Sequence, residues 1–242
     1  MKIFIRNTEL SKEEIGEQSF FQNQQLDLEE FIGGAPNRNN GYSNEIEETI
    51  LLIKKVGELI IEEEKTAKYK RNQSQNYAED SSEFDKILEE TNTSLNLRRH
   101  TYKSLFLLSH TILENRIVEF SQLVNRYHGS KKGKLPKLVG NFGKHIDFLE
   151  DSSRFKAKSF IPELDKYIKV RNVLSHRVKY LTQSEFEKIN DWIILPKAVS
   201  IKNTSEFGNN DSYEIVITHS SFIVDYLNKI KLLLDSLVSA YF

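Results

Sequence analysis

Apolar residues recur at steps of three and four along this chain, in stripes long enough to be helices, and the most regular stripe runs from residue 162 to about residue 181. Ile161, Leu164, Tyr167, Val170, Leu174, Val178 and Leu181 fall on one side of a 3.6-residue period. Pro162 suits a first turn, where its missing N–H has no intrahelical partner to lose. Comparable stripes begin at Ile46, at Leu105 and at Phe222. Each must bury an apolar face, and faces of this shape cover one another by packing helix on helix. Strand-like runs at 197–201 and 213–218 flank the turn-rich Glu206-Phe207-Gly208-Asn209-Asn210-Asp211. The pattern predicts an all-α fold, a helical bundle with a small β-hairpin inserted before the last helix.

Inside the most regular stripe lies Arg171-Asn172-Val173-Leu174-Ser175-His176, where the residue types suggest chemistry. At about 100° per residue, Asn172 and His176 sit about 160° either side of Leu174 and point away from the buried face. They are four apart, so the Asn172 amide can bond one ring nitrogen of His176 and fix its tautomer. Arg171 lies about 60° from Leu174, on the flank of the stripe, and about 140° from His176. An arginine clamps phosphate oxygens through paired hydrogen bonds, and an imidazole moves protons near neutral pH. To act on one phosphate the two must converge, through a helix break between them or through a second copy of the chain across a two-fold axis. The alternative is a solvated Asn-His pair beside an arginine whose stem covers the edge of the core.

An arginine followed by a polar residue, with a histidine late in the same long helix of an all-α domain, resembles the HEPN superfamily, whose members of this pattern are ribonucleases, many of them toxins or host-defence effectors. The resemblance covers roughly residues 81–242 and includes the apolar helices expected on either side of the motif. It implies a homodimer with a composite active site of Arg171, His176 and Asn172, without a metal or cofactor. It also implies attack by the ribose 2′-hydroxyl that leaves a cyclic phosphate, and an antitoxin or defence-system protein as partner. Residues 1–80 fall outside it and are expected to be an N-terminal extension with one helix packed on the bundle.

The net charge of −1 argues against a general nucleic-acid binder, but its distribution is uneven. Residues 126–180 hold 14 Lys and Arg against 5 Asp and Glu, a local +9 in a remainder of −10. Lys131, Lys132, Lys134 and Lys137 stand among four glycines at 129–143, where flexible backbone and point charges can follow a phosphate chain; Arg177 adds a cation beside the motif. A basic face turned to an acidic partner would have the same composition. Cysteine is absent, so disulfides and thiolate metal sites are excluded, and no histidine pair stands at metal-ligand spacing beside a carboxylate. No apolar run has signal-peptide or membrane-spanning length, so a cytoplasmic location is expected.

Along the rest of the chain, 2–6 reads as a short strand and 33–44 as a loop, with Asn44 and Glu47 as a capping box. The helix that follows should turn Ile46, Ile50, Ile53, Val56, Gly57 and Ile60 inward. The polar stretch 62–83 reads as a frayed helix end and a linker. Ser81 or Ser82 should cap a short helix ended by the cluster at 91–94, before a long helix with Leu105, Leu108, Ile112, Leu113, Ile117, Phe120, Leu123, Val124 and Tyr127 inward. Glu114 on that helix is placed to hold Arg171 or to face solvent. A short helix through Ile146, Phe148 and Leu149 and another from Ser184 complete the set. The broad stripe from Phe222 to Tyr241 exceeds one neighbour, and part of it suits a subunit interface.

Two functional classes fit these residues. One is a metal-independent endoribonuclease acting on RNA, and the other is a non-catalytic helical module that binds nucleotide or a protein partner. A DNA-binding regulator is the weaker third, since no helix-turn-helix signal is present.

Overall fold

The computed structural model describes residues 12–35, 39–75, 81–128, 135–136, 142–152, 161–175, 184, 187, 198–203 and 213–241. In chain order the elements are α1 (Lys12–Gly33), β1 (Gly34–Ala35), β2 (Asn39–Asn40), α2 (Tyr42–Gln75), α3 (Ser81–His128), α4 (Phe142–Ser152), α5 (Ile161–Ser175), β3 (Val199–Asn203), β4 (Tyr213–Ile217) and α6 (Ser221–Tyr241). The architecture is an all-α bundle with a two-stranded antiparallel sheet before the last helix. β3 and β4 pair from Val199 opposite Ile217 to Asn203 opposite Tyr213.

α3 is the axis of the bundle, 48 residues long, or about 72 Å at 1.5 Å per residue. α2 lies antiparallel to it, as its ion pairs show: Glu45 with Arg116, Glu64 with Arg98 and Lys70 with Glu90, one number rising as the other falls. α6 runs antiparallel to α2, with Tyr42 donating to the Asp235 carboxylate at 2.6 Å and Gly57 facing Ser220. Gly57 permits that approach, because a Cβ there would meet the Ser220 hydroxyl oxygen at 2.7 Å. α6 buries Phe222, Ile223, Tyr226, Leu227, Ile230, Leu233, Leu234 and Leu237 against α2, α3 and α5. The breadth of its stripe is therefore met within one chain. Each such side chain contributes roughly 1.5–3 kcal/mol on burial, so truncating one of them is among the most damaging single changes available.

Several expectations change. The cluster at 91–94 does not break α3, because the Thr91 hydroxyl donates to the Ile87 carbonyl at 2.8 Å within the helix and Ser94 is buried. α2 continues through the polar stretch to Gln75, held against α3 by the ion pairs above. Its start at Tyr42 puts Asn44 inside the first turn, where Asn44 donates to the Gly33 carbonyl at 2.7 Å in place of a capping box. Glu47 instead takes the Ser43 hydroxyl and Lys231. The expected loop includes the two-residue pairing of β1 with β2. Leu108 is exposed, and Tyr102 and Phe106 are the buried side chains on that part of α3. The apolar residues before Gly33 belong to α1, where Phe31 is buried while Phe20, Phe21 and Leu26 are exposed. The inward positions of α2 stand as expected, with Ile46, Ile53 and Ile60 in the core. So do those of α4, where Ile146, Phe148 and Leu149 are buried. The strand expected at 2–6 and the helix expected after Ser184, apart from Ser184 and Glu187, lie outside the described residues.

Candidate functional site

α5 carries Arg171 and Asn172, and its packing decides what they face. Leu164, Tyr167 and Val170 are buried, as the stripe requires, and Leu174 is half-buried at its end. The Tyr167 ring stacks on Tyr226 of α6 with centroids 4.7 Å apart and 19° between planes. Its hydroxyl donates to the Asp225 carboxylate, and Glu163 pairs with Lys229 one turn further along. Phe106 of α3 and Phe222 pack on the same rings at 5.0 to 5.3 Å. This aromatic block locks α5 to α3 and α6.

Arg171 sits on the flank of that contact, with its side chain 30 % exposed. Asn172 is exposed, as its position on the helix predicts. One guanidinium nitrogen of Arg171, Nη2, lies 3.7 Å from Glu114 Oε1 on α3, and the other, Nη1, donates to Asn172 Oδ1 at 3.2 Å. Of the two roles open to Glu114, the structure shows the one that holds Arg171.

Behind Glu114 stands a polar chain in the core. His110, 3 % exposed, places Nε2 3.4 Å from Glu114 Oε1 and Nδ1 2.7 Å from the Tyr226 hydroxyl. A carboxylate only accepts, so the tautomer that satisfies both contacts carries its proton on Nε2 and accepts from Tyr226 on Nδ1. Burial holds the His110 imidazole below its ordinary value; the Glu114 carboxylate works against that shift and the Arg171 guanidinium works with it. Burial, with the Glu114 charge, pushes the Tyr226 hydroxyl far upward. Tyr226 and His110 are thus neutral near pH 7 and serve as a brace. Tyr226 orients His110, His110 orients Glu114, and Glu114 aims Arg171. A guanidinium has five N–H donors, and the two contacts leave donors free to meet a phosphate.

Of the expected site residues, the structure brings Arg171 and Asn172 together. His176, Lys131, Lys132, Lys134, Lys137 and Arg177 lie outside the described residues. Among the described residues no group of three or more His, Asp or Glu side chains could hold a metal ion, and no helix is long and apolar enough to cross a membrane. The brace is what reading the sequence missed. Its one signal is that His110 occupies a core position, four after Phe106 and three before Leu113, with Glu114 four further on. Its partner Tyr226 is 116 residues away, and no spacing rule links the two. Compared with protein-family models, curated proteins and solved structures, the chain matches none.

Proposed function

We propose that the chain is an endoribonuclease of the HEPN type, with Arg171 and His176 acting on one phosphodiester. The ribose 2′-oxygen attacks phosphorus and loses its proton to a base. The bond to the 5′-oxygen breaks, and that oxygen takes up a proton. The product ends in a 2′,3′-cyclic phosphate. His176 carries the proton transfer, Arg171 stabilises charge on the phosphate oxygens, and Asn172 assists in orientation. A metal ion has no step in this scheme. A regular helix through 171–176 would set the two about 140° apart, and in this reading a second copy of the chain across a two-fold axis completes the site. Lys131, Lys132, Lys134, Lys137 and Arg177 follow the strand's phosphates. Such an enzyme would act on cytoplasmic RNA as a toxin or host-defence effector, restrained by an antitoxin or defence-system partner.

The observation that carries this reading is the brace on Arg171. A half-exposed guanidinium aimed through Glu114, His110 and Tyr226 is preorganised for an anion, and preorganised charge is what phosphoryl chemistry uses. The same contacts favour a second reading, a helical module in which Arg171 is structural and the face binds nucleotide or protein. Incubating single-stranded RNA with wild type and with Arg171→Ala, in the presence of EDTA, separates them. The first reading expects cyclic-phosphate ends from the wild type and a loss of about 10² or more in rate for the variant. No cleavage by the wild type leaves the second.

A further inference from the structure

A cavity of about 600 Å³ opens where the end of α5 meets α3 and β4. Its volume falls within the range of small-molecule sites, roughly 300–1,000 Å³. Val173, Leu174 and Ser175 line one side, so the wall is the stretch of the motif between Asn172 and His176. Ile215 and Ile217 of β4, both buried, continue it as an aliphatic floor. Across from them α3 presents Arg99, His100 and Lys103. Glu214 is the one carboxylate among the described lining residues, and Arg99 neutralises it by an ion pair. The rim is left with the Lys103 ammonium and the His100 imidazole. Between Glu90 and Glu114 the sequence has no acidic residue, so no carboxylate on that part of α3 opposes them.

An apolar floor with a cationic rim is matched by a ligand that offers the apolar face of a flat ring at one end and a phosphate at the other. We infer that this cavity is a subsite for one nucleotide of single-stranded RNA, its base against Leu174 and Ile215 and its phosphate on Lys103 and His100. RNA as the occupant rests on the cleavage reading above; the cavity and its charge do not. Lys103 and Glu114 are eleven residues apart on α3, about 16 Å along its axis, a span that a single strand crosses in a few nucleotides. A strand seated here would therefore run on toward Arg171. The subsite would set where the chain is cut relative to the base it holds.

The test measures binding by the full chain in a His176→Ala background, so that the strand stays whole. Probes are a single-stranded RNA hexamer, adenosine monophosphate and inorganic phosphate. Lys103→Gln removes the rim charge, and Ser175→Trp fills the cavity from an exposed position. Lys103→Gln should weaken hexamer binding about tenfold or more and reduce the salt slope by about one. Ser175→Trp should abolish binding of the monophosphate, and the hexamer should bind more tightly than the monophosphate. Wild-type affinity in both variants would overturn the subsite. So would phosphate binding as tightly as the nucleotide, since the floor would then contribute nothing. Monophosphate binding as tight as the hexamer would overturn its assignment to a strand. Cleavage by the otherwise native chain, with nucleotide binding untouched by either variant, sinks the subsite and leaves the nuclease reading. Nucleotide binding at this cavity in a chain that cuts no RNA does the reverse.

Discussion

Glu114 and Arg171, from two different helices, bring a carboxylate and a guanidinium to 3.7 Å at the edge of the core. The same carboxylate oxygen lies 3.4 Å from the buried ring of His110. Glu114 is therefore the joint between an internal polar chain and a half-exposed cation.

Glu114→Gln keeps the shape of that joint and removes its charge. If Glu114 positions Arg171 for phosphate, kcat for RNA cleavage should fall about 10²-fold while KM and the urea midpoint stay near wild type, since a small misplacement of a catalytic group acts on the transition state. Steady-state kinetics beside an unfolding curve check this. A loss confined to stability would make Glu114 structural only.

Two buried histidines give the fold a pH dependence of definite sign. Burial holds His145 below its ordinary value, as it does His110. In the unfolded chain both take up protons near pH 6.5, so below about that pH the unfolded state binds more protons than the folded one. Their contribution to stability is fully present above about pH 6.5 and is lost as pH falls through their lower folded values. The urea midpoint should drop between about pH 7.5 and pH 5.5. Neither ring nitrogen of His145 has a hydrogen-bond partner among the described residues. His145→Leu should therefore raise stability by about 1–3 kcal/mol and flatten part of that slope. A variant less stable than wild type would show that the ring is satisfied after all.

What could be read from the sequence was whatever depends on local period. The inward faces of α2 at Ile46 to Ile60 and of α6 at Phe222 to Leu237 follow from spacing alone, because a buried helix face leaves its period in the chain. The pairing of β3 with β4 follows from two short runs around a turn-rich stretch. Thr91 misleads, because a residue that competes with the backbone elsewhere can bond the carbonyl four back and stay helical, and Ser94 stays helical because α3 buries it against its neighbours. Spacing alone puts Leu108 inward and leaves out Tyr102 and Phe106, because α3 turns different faces to different neighbours along its length. The Arg171 flank position could be read from angles. The brace behind it could not, since His110 and Tyr226 meet only through the packing of α3 on α6.

A composite site makes a prediction that no single-chain site makes. Arg171→Ala and His176→Ala, each inactive alone, should regain part of the wild-type rate when mixed and allowed to exchange subunits, because some dimers then hold one intact set. Sedimentation should give twice the chain mass for all three proteins. A strict monomer that nevertheless cleaves would contradict the two-chain arrangement.

The most direct test of the account is the single-turnover rate of RNA cleavage by wild type, His176→Ala, Arg171→Ala and the double variant, all purified identically and assayed with EDTA. Each single variant should lose about 10²–10⁴ in rate, and the double variant should be little worse than either, as residues that act on one phosphate behave as a unit. Undiminished cleavage by pure His176→Ala protein would contradict the assignment of chemistry to this motif.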